Sequence, residues 1–349
     1  MNIPSLPILM KKLTAQKEKD LIKKIQIQFE AVKNITYTGE MLEGSTGIFD
    51  YYFEGTSSQG KKISLSIDDL GTITGHPFLP AHNNMKSLTV TPEHYRTLVD
   101  KVYHVDKLKA DHRKLRKSHV FMTKDGQEWL VIKTIDANDS RNRKGYTDNG
   151  FQDMAVIPKT LEFPRGDASQ TLIVYAGTNP LDEKDLRTDV LNIVLGEEKF
   201  SYRTKTGTLQ TVDSQFTSAE RFFEEVSALP QVSVLSTSGH SLGGALAQKV
   251  AAKHKIPAFT YSTAGVYPQL TDSEKEWLSG DGKEQVVNFI HEGDQVSSWT
   301  DAKKYGTALL CEEFSDKMLL SGHFLTSSHF DKEGHVKLLK KENPSKSKK

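Results

Sequence analysis

The chain has 349 residues, 36% of them hydrophobic and 26% charged, enough apolar material for one large domain or a large and a small one. Its 46 basic and 45 acidic residues leave a net charge of +1, so no global field draws it to nucleic acid or anionic lipid. The single cysteine, Cys311, excludes an intrachain disulfide and a thiolate metal cluster.

No apolar stretch approaches the roughly 18 residues that a membrane-spanning helix needs. The opening "MNIPSLPILMKKL" carries its lysines after a short apolar run, the reverse of a secretory signal. A protein made in the cytoplasm is expected, with leaderless export left open.

From Met10 to Val32, Leu13, Leu21, Ile22, Ile25, Phe29 and Val32 form a helical stripe among charged residues. Three strand-like pieces follow, "ITYTG", "GIFDYYFEG" and "KKISLSID", separated by turn chemistry. The pattern predicts a helix over a small antiparallel meander. "TGHPFLPAHNNMKS", Thr74 to Ser87, has two prolines and no periodicity and reads as a linker. Residues 1–87 are therefore assigned to a small α+β accessory domain with its linker.

Thr91 and Pro92 then open a helix as N-cap and first helical residue. "KLKADHRKLRK", Lys107 to Lys117, is a solvated basic face, or a surface for peripheral contact with anionic lipid headgroups. "EWLVIKTID" and "GFQDMAVIP" are strand candidates, and "QTLIVYAGT" is an unbroken apolar run of the kind that suits a strand buried on both faces. Thr217 and Ser218 read as the cap of "AERFFEEVSAL". Strand "QVSVLSTSG", helix "LGGALAQKVAAKH", strand "PAFTYST", helix "TDSEKEWLS" and strand "EQVVNFIHEGD" complete the series. Alternating strands and helices predict an α/β domain with a mostly parallel central sheet over residues 88–340. Residues 341–349 are expected to form a basic, disordered tail.

Gly239-His240-Ser241-Leu242-Gly243 reads as G-x-S-x-G. Chance supplies that pattern in about one chain in ten of this length, given glycine near 7% of residues. Its context is more telling: a strand ends before Ser241 and a helix begins after it, as a nucleophile elbow requires. Flanking glycines leave room for a strained serine, and the helix N-terminus offers free N–H groups to a developing oxyanion. The backbone N–H of Leu242, the residue after the nucleophile, is one expected donor. A dinucleotide fold would want G-x-G-x-x-G and a P-loop a lysine before Ser/Thr; neither is present.

"FTSAERFFEEVSALPQVSVLSTSGHSLGGALAQKVA" resembles the nucleophile region of the class 3 lipases, α/β-hydrolases of fungi and Gram-positive bacteria. "LIVYAGTNP" is similar to that family's strand ending in Gly-Thr or Gly-Ser, and "VVNFIHEGDQVS" to its strand ending in an aspartate. The resemblance spans roughly Thr89 to Lys340. It implies an α/β-hydrolase fold, needs no cofactor, and makes Thr178 the second oxyanion donor.

An activated serine needs a base and an orienting carboxylate, in the chain order Ser, acid, His for this elbow. Among the later aspartates, Asp294 follows the apolar "QVVNFI" and lies in a turn after the strand, and the resemblance agrees. His254 closes the helix behind the nucleophile and His291 precedes the acid, which leaves His323, His329 and His335 in "SGHFLTSSHFDKEGH". Their spacing does not match helical ligand pairs, and no H-E-x-x-H is present, so no metal is expected. The resemblance, a histidine shortly before a Phe-Asp turn, favours His323, with His329 the alternative.

After Thr178, the piece from Asp185 to Leu195 holds Leu186, Val190, Leu191, Ile193, Val194 and Leu195. It is either an ordinary core helix or, as the resemblance implies, an apolar flap over the active site. The expectation is a serine hydrolase of glycerolipids, a lipase or phospholipase A, whose partner is a lipid or acyl ester. A short-chain esterase or thioesterase is the alternative, and a non-catalytic binding module the third.

Overall fold

In the computed structural model, short links join the first four strands one to the next, and short links favour antiparallel neighbours. Residues 13–29, 32–43, 46–57, 60–75, 89–106, 114–141, 145–177, 199–203, 207–291, 294–300, 303–311, 323 and 325–339 are described. Strands β1 (Lys33–Glu43), β2 (Ile48–Thr56), β3 (Lys62–Asp68) and β4 (Ile73–Gly75) form the expected meander. Helix α1 (Ala15–Gln28) lies on it, capped by Thr14 and burying Leu21 and Ile25.

Helix α2 (Pro92–Val102) follows, with Thr91 accepting from the His94 N–H and the His94 ring accepting from the Thr91 N–H. Next come β5 (Val120–Met122), β6 (Glu128–Asp136), β7 (Gln152–Lys159) and β8 (Thr171–Tyr175), each antiparallel to the one before. A hairpin of β9 (Lys199–Arg203) and β10 (Leu209–Asp213) stands apart from the main sheet. The chain then alternates: helix α3 (Gln215–Ser227), β11 (Val234–His240), helix α4 (Leu242–His254) and β12 (Ala258–Tyr261). Helix α5 (Asp272–Ser279), β13 (Val286–His291), helix α6 (Gln295–Trp299) and β14 (Thr307–Cys311) complete it.

Twelve of these strands form one mixed sheet in the order β1 to β8, then β11 to β14. The protein is α/β, but the expected mostly parallel sheet is corrected: the pairings from β1 to β8 are antiparallel, and only those from β8 onward are parallel. The reason is local. Among the described residues no α-helix intervenes between β5 and β8 to carry the chain back, so successive strands reverse direction. The sheet also crosses the boundary drawn near Ser87, because β4 pairs with β5 through Ile73↔Met122 and Thr74↔Phe121. The meander nonetheless has a core of its own, built on Ile25, Tyr51, Phe53, Leu65 and Ile67 and closed by Met122.

The larger core is split by the sheet. Helices α3, α4 and α5 bury Phe222, Leu246, Val250 and Leu278 on one side, while α2 buries Leu98, Val99 and Val102 on the other. Helix α3 starts three residues earlier than its expected cap, because Ser214 accepts from the Thr217 N–H, which makes Thr217 an exposed residue of the first turn. No helix among the described residues is long and apolar enough to cross a membrane.

One carboxyl sits within this core. Asp153 of β7 is fully buried opposite Tyr175 and accepts from the Met154 N–H, while its second oxygen has no hydrogen bond. Burial pushes its pKa well above the carboxylate range, against the small pull of the Met154 bond. The folded pKa lies above the unfolded one, so this group's contribution is most favourable below about pH 4 and is lost as pH rises toward the folded value. Asp153→Asn keeps the acceptor without the charge. Urea unfolding is expected to show the variant more stable than the parent at pH 7 by about 1–3 kcal/mol, with the gap closing near pH 4.

Candidate functional site

Strand β11 runs between β8 and β12, parallel to both, and ends at Ser241. Ser241 adopts φ 57° and ψ −124°, a region that costs a residue with a side chain about 1–3 kcal/mol. Two backbone bonds hold it there: the Ser241 N–H donates to Tyr261 O at 3.1 Å, and the Ala264 N–H donates to Ser241 O at 3.1 Å. The turn closes only because its neighbours lack side chains. A Cβ on Gly239 would strike the Gly243 carbonyl, and one on Gly243 would strike the backbone of Tyr175 and Ala176. Helix α4 can therefore start directly against the ends of β8 and β11.

The structure brings Ser241, His323 and Asp294 together although they are 82 and 29 residues apart in successive steps. His323 Nε2 lies 3.0 Å from Ser241 Oγ, and His323 Nδ1 lies 2.9 Å from Asp294 Oδ1. Asp294 follows β13, caps α6 and is fully buried at its side chain. Burial would raise its carboxyl pKa, but hydrogen bonds from His323, from the Ser297 hydroxyl at 2.6 Å and from the Ser297 N–H outweigh that and hold it below the ordinary value. A carboxylate fixed in this way keeps the proton of His323 on Nδ1. Nε2 is then free to accept from the serine hydroxyl.

Two further residues were not found from sequence. His240 is buried, and its Nε2 lies 2.6 Å from the backbone carbonyl of His323 while its Nδ1 lies 3.2 Å from Tyr103 Oη. Burial, with the nearby His323, pushes the His240 pKa down to about 3, so the ring is neutral at physiological pH. A carbonyl can only accept, so Nε2 carries the proton and Nδ1 accepts from the tyrosine hydroxyl. Tyr103 Oη in turn accepts from the Gly177 N–H at 3.0 Å. One hydrogen-bond chain thus ties the end of β8, the residue before Ser241 and the histidine loop together. His240 was visible as the residue beside Ser241; nothing in the sequence around Tyr103 marks it.

Leu242 is the first residue of α4, so its N–H has no intrahelical acceptor and stands at the turn beside Ser241. Thr178 and the Asp185–Leu195 segment lie outside the described residues, as do residues 107–113 of the basic run from Lys107 to Lys117. Gly177 is described, and a Cβ on it would come within 3.2 Å of Ser241 Cβ, so the end of β8 borders Ser241.

The other histidines go elsewhere. His254 stacks on Phe223 and lies 2.7 Å from Glu220, while His291 lies 3.4 Å from Ser328 Oγ. His329 is exposed, and His335 pairs with Asp331 on the surface. Among the described residues the side chains close enough to hold a metal ion are Asp50, Asp100 and His104. Lys101 Nζ already lies 3.1 Å from a carboxylate oxygen of each aspartate, so that cluster has a built-in cation. No family model matches the sequence, and no curated protein compared with it matches either.

Proposed function

We propose that the protein is a serine carboxylester hydrolase of the α/β-hydrolase type, similar to the class 3 lipases, acting on glycerolipids as a lipase or phospholipase A. The observation that carries this reading is the continuous Ser241–His323–Asp294 contact chain on a strained strand-to-helix turn. In the first step His323 Nε2 takes the Ser241 proton as Oγ attacks the ester carbonyl. The Leu242 N–H faces the resulting oxyanion, with Thr178 as the second donor that the resemblance implies. The tetrahedral intermediate expels the alcohol, which leaves with the proton held on His323. Water, deprotonated by the same nitrogen, then releases the acid and restores Ser241.

The acyl chain is the less constrained part, since a fold does not fix a substrate. p-Nitrophenyl esters of increasing chain length, and then mixed phospholipid and triacylglycerol resolved by mass, test it against a Ser241→Ala control. Rates that climb with chain length and at a lipid–water interface are expected. Preference for the shortest esters makes the protein a short-chain esterase or thioesterase, and no Ser241-dependent turnover at all overturns the hydrolase reading.

A further inference from the structure

A cluster of buried charges joins the N-terminal meander to α2. Lys101 Nζ lies 3.1 Å from Asp50 of β2, 2.6 Å from Asp68 of β3 and 3.1 Å from Asp100, all with essentially no exposed side-chain surface. His104 Nε2 lies 3.2 Å from Asp50, and Thr46 donates to Asp100 at 2.8 Å. Burial alone would strip the Lys101 proton, yet the three carboxylates hold its pKa well above the ordinary value. An ammonium so enclosed has no alternative partners, so the end of α2 is fixed relative to β2 and β3.

Tyr103 follows Lys101 by two residues, in the short 3-10 turn that continues α2. The same helix meets the other parts of the site: Tyr95 Oη lies 2.7 Å from Ser236 Oγ of β11, and Arg96 donates to Ser328 O at 3.1 Å in the loop after His323. The strand that ends at Ser241 and the loop after His323 are therefore both referenced to α2, and α2 is referenced to the meander.

We propose that the N-terminal meander is a working part of the site, in which the Asp50–Asp68–Lys101 cluster positions Tyr103 and, through it, His240 and the loop bearing His323. Asp50, Asp68, Lys101 and Tyr103 are positioning residues in this scheme, and none of them touches substrate. The proposal rests on the hydrolase reading for its rate readout. A nitrogen NMR readout of the His240 imidazole makes it testable apart from turnover.

The test is a double-mutant cycle on the full chain, with Asp68→Asn, Tyr103→Phe and the pair, each checked for folding by thermal melting. Tyr103→Phe removes both hydroxyl bonds and is expected to lower kcat on a short p-nitrophenyl ester about 10- to 100-fold with KM little changed. Asp68→Asn is expected to lower kcat about 10-fold and to shift the His240 ring nitrogens in the same sense as Tyr103→Phe. In the pair, the loss is expected to stay close to that of Tyr103→Phe alone, because both changes act through one hydroxyl. Asp69→Asn, which removes the surface partner of Lys17 on the same meander, is expected to keep wild-type kcat. If Asp68→Asn does not fold, Lys101→Arg takes its place in the cycle. Losses that multiply in the pair, or a folded cluster variant with wild-type kcat and unshifted His240 nitrogens, overturn the proposal. A wild-type protein without turnover whose His240 nitrogens still respond to Asp68→Asn overturns only the hydrolase reading.

Discussion

Replacing Ser241 or His323 with alanine is expected to lower ester turnover by about 10⁴- to 10⁶-fold, and replacing both is expected to cost little more than either alone. The two act as one unit. Without His323 Nε2 at 3.0 Å the serine keeps its proton and is a poor nucleophile, and without the serine the histidine has nothing to activate. What survives is the contribution of binding and of the N–H donors at the start of α4. Both variants are expected to melt near the parent temperature. Ser241→Ala removes one partner of the His323 ring, whose Nδ1 contact with Asp294 and whose backbone carbonyl bond with His240 remain, and in His323→Ala the buried Asp294 keeps its bonds from Ser297. Steady-state kinetics on purified variants, beside thermal melts, checks this. His329 offers an internal comparison: it is exposed and lies outside the contact chain, so His329→Ala is expected to retain turnover.

Gly243→Ala is expected to damage both stability and turnover. A Cβ there collides with the main chain of Tyr175 and Ala176, and neither strand nor helix can yield without moving the other. Tyr175 pairs with both β7 and β11, so the strain spreads through the sheet. Overpacking of this kind costs about 1–3 kcal/mol, and more where the clash is with backbone rather than a flexible side chain. Because α4 carries the Leu242 N–H and follows Ser241 directly, the same displacement disturbs the nucleophile. A lower melting temperature together with at least a 100-fold loss of turnover is expected. An equal methyl addition at Gly207, which meets no atom within 4 Å, is the control for space, although its φ of 81° adds a smaller backbone cost.

The sequence and the structure agree most closely where a local pattern carries the whole constraint. The apolar run before Gly177, the glycines around Ser241 and the apolar strand before Asp294 are each explained by their immediate neighbours. The choice among the late histidines was not local in that sense. Spacing left three open, and it is the loop folding back over His240 that brings His323 to the serine. The antiparallel half of the sheet was misread because β6 and β7 look like any buried strand, and their direction depends on what connects them. Nothing in the sequence around Asp50, Asp68 and Lys101 marks them. They are buried only because each neutralises the others across 51 and 33 residues of chain, a relation no short window contains. Tyr103 is hidden for the same reason, since its partner His240 lies 137 residues away.

The central claim is that Ser241 is an activated nucleophile, and covalent labelling addresses it most directly. The folded full-length protein would be treated with a fluorophosphonate probe, digested and mapped by mass spectrometry. The account predicts stoichiometric modification of Ser241, slowed by about 10³-fold or more in His323→Ala and absent in Ser241→Ala. A correctly folded wild-type protein that takes up no label at Ser241 would contradict it.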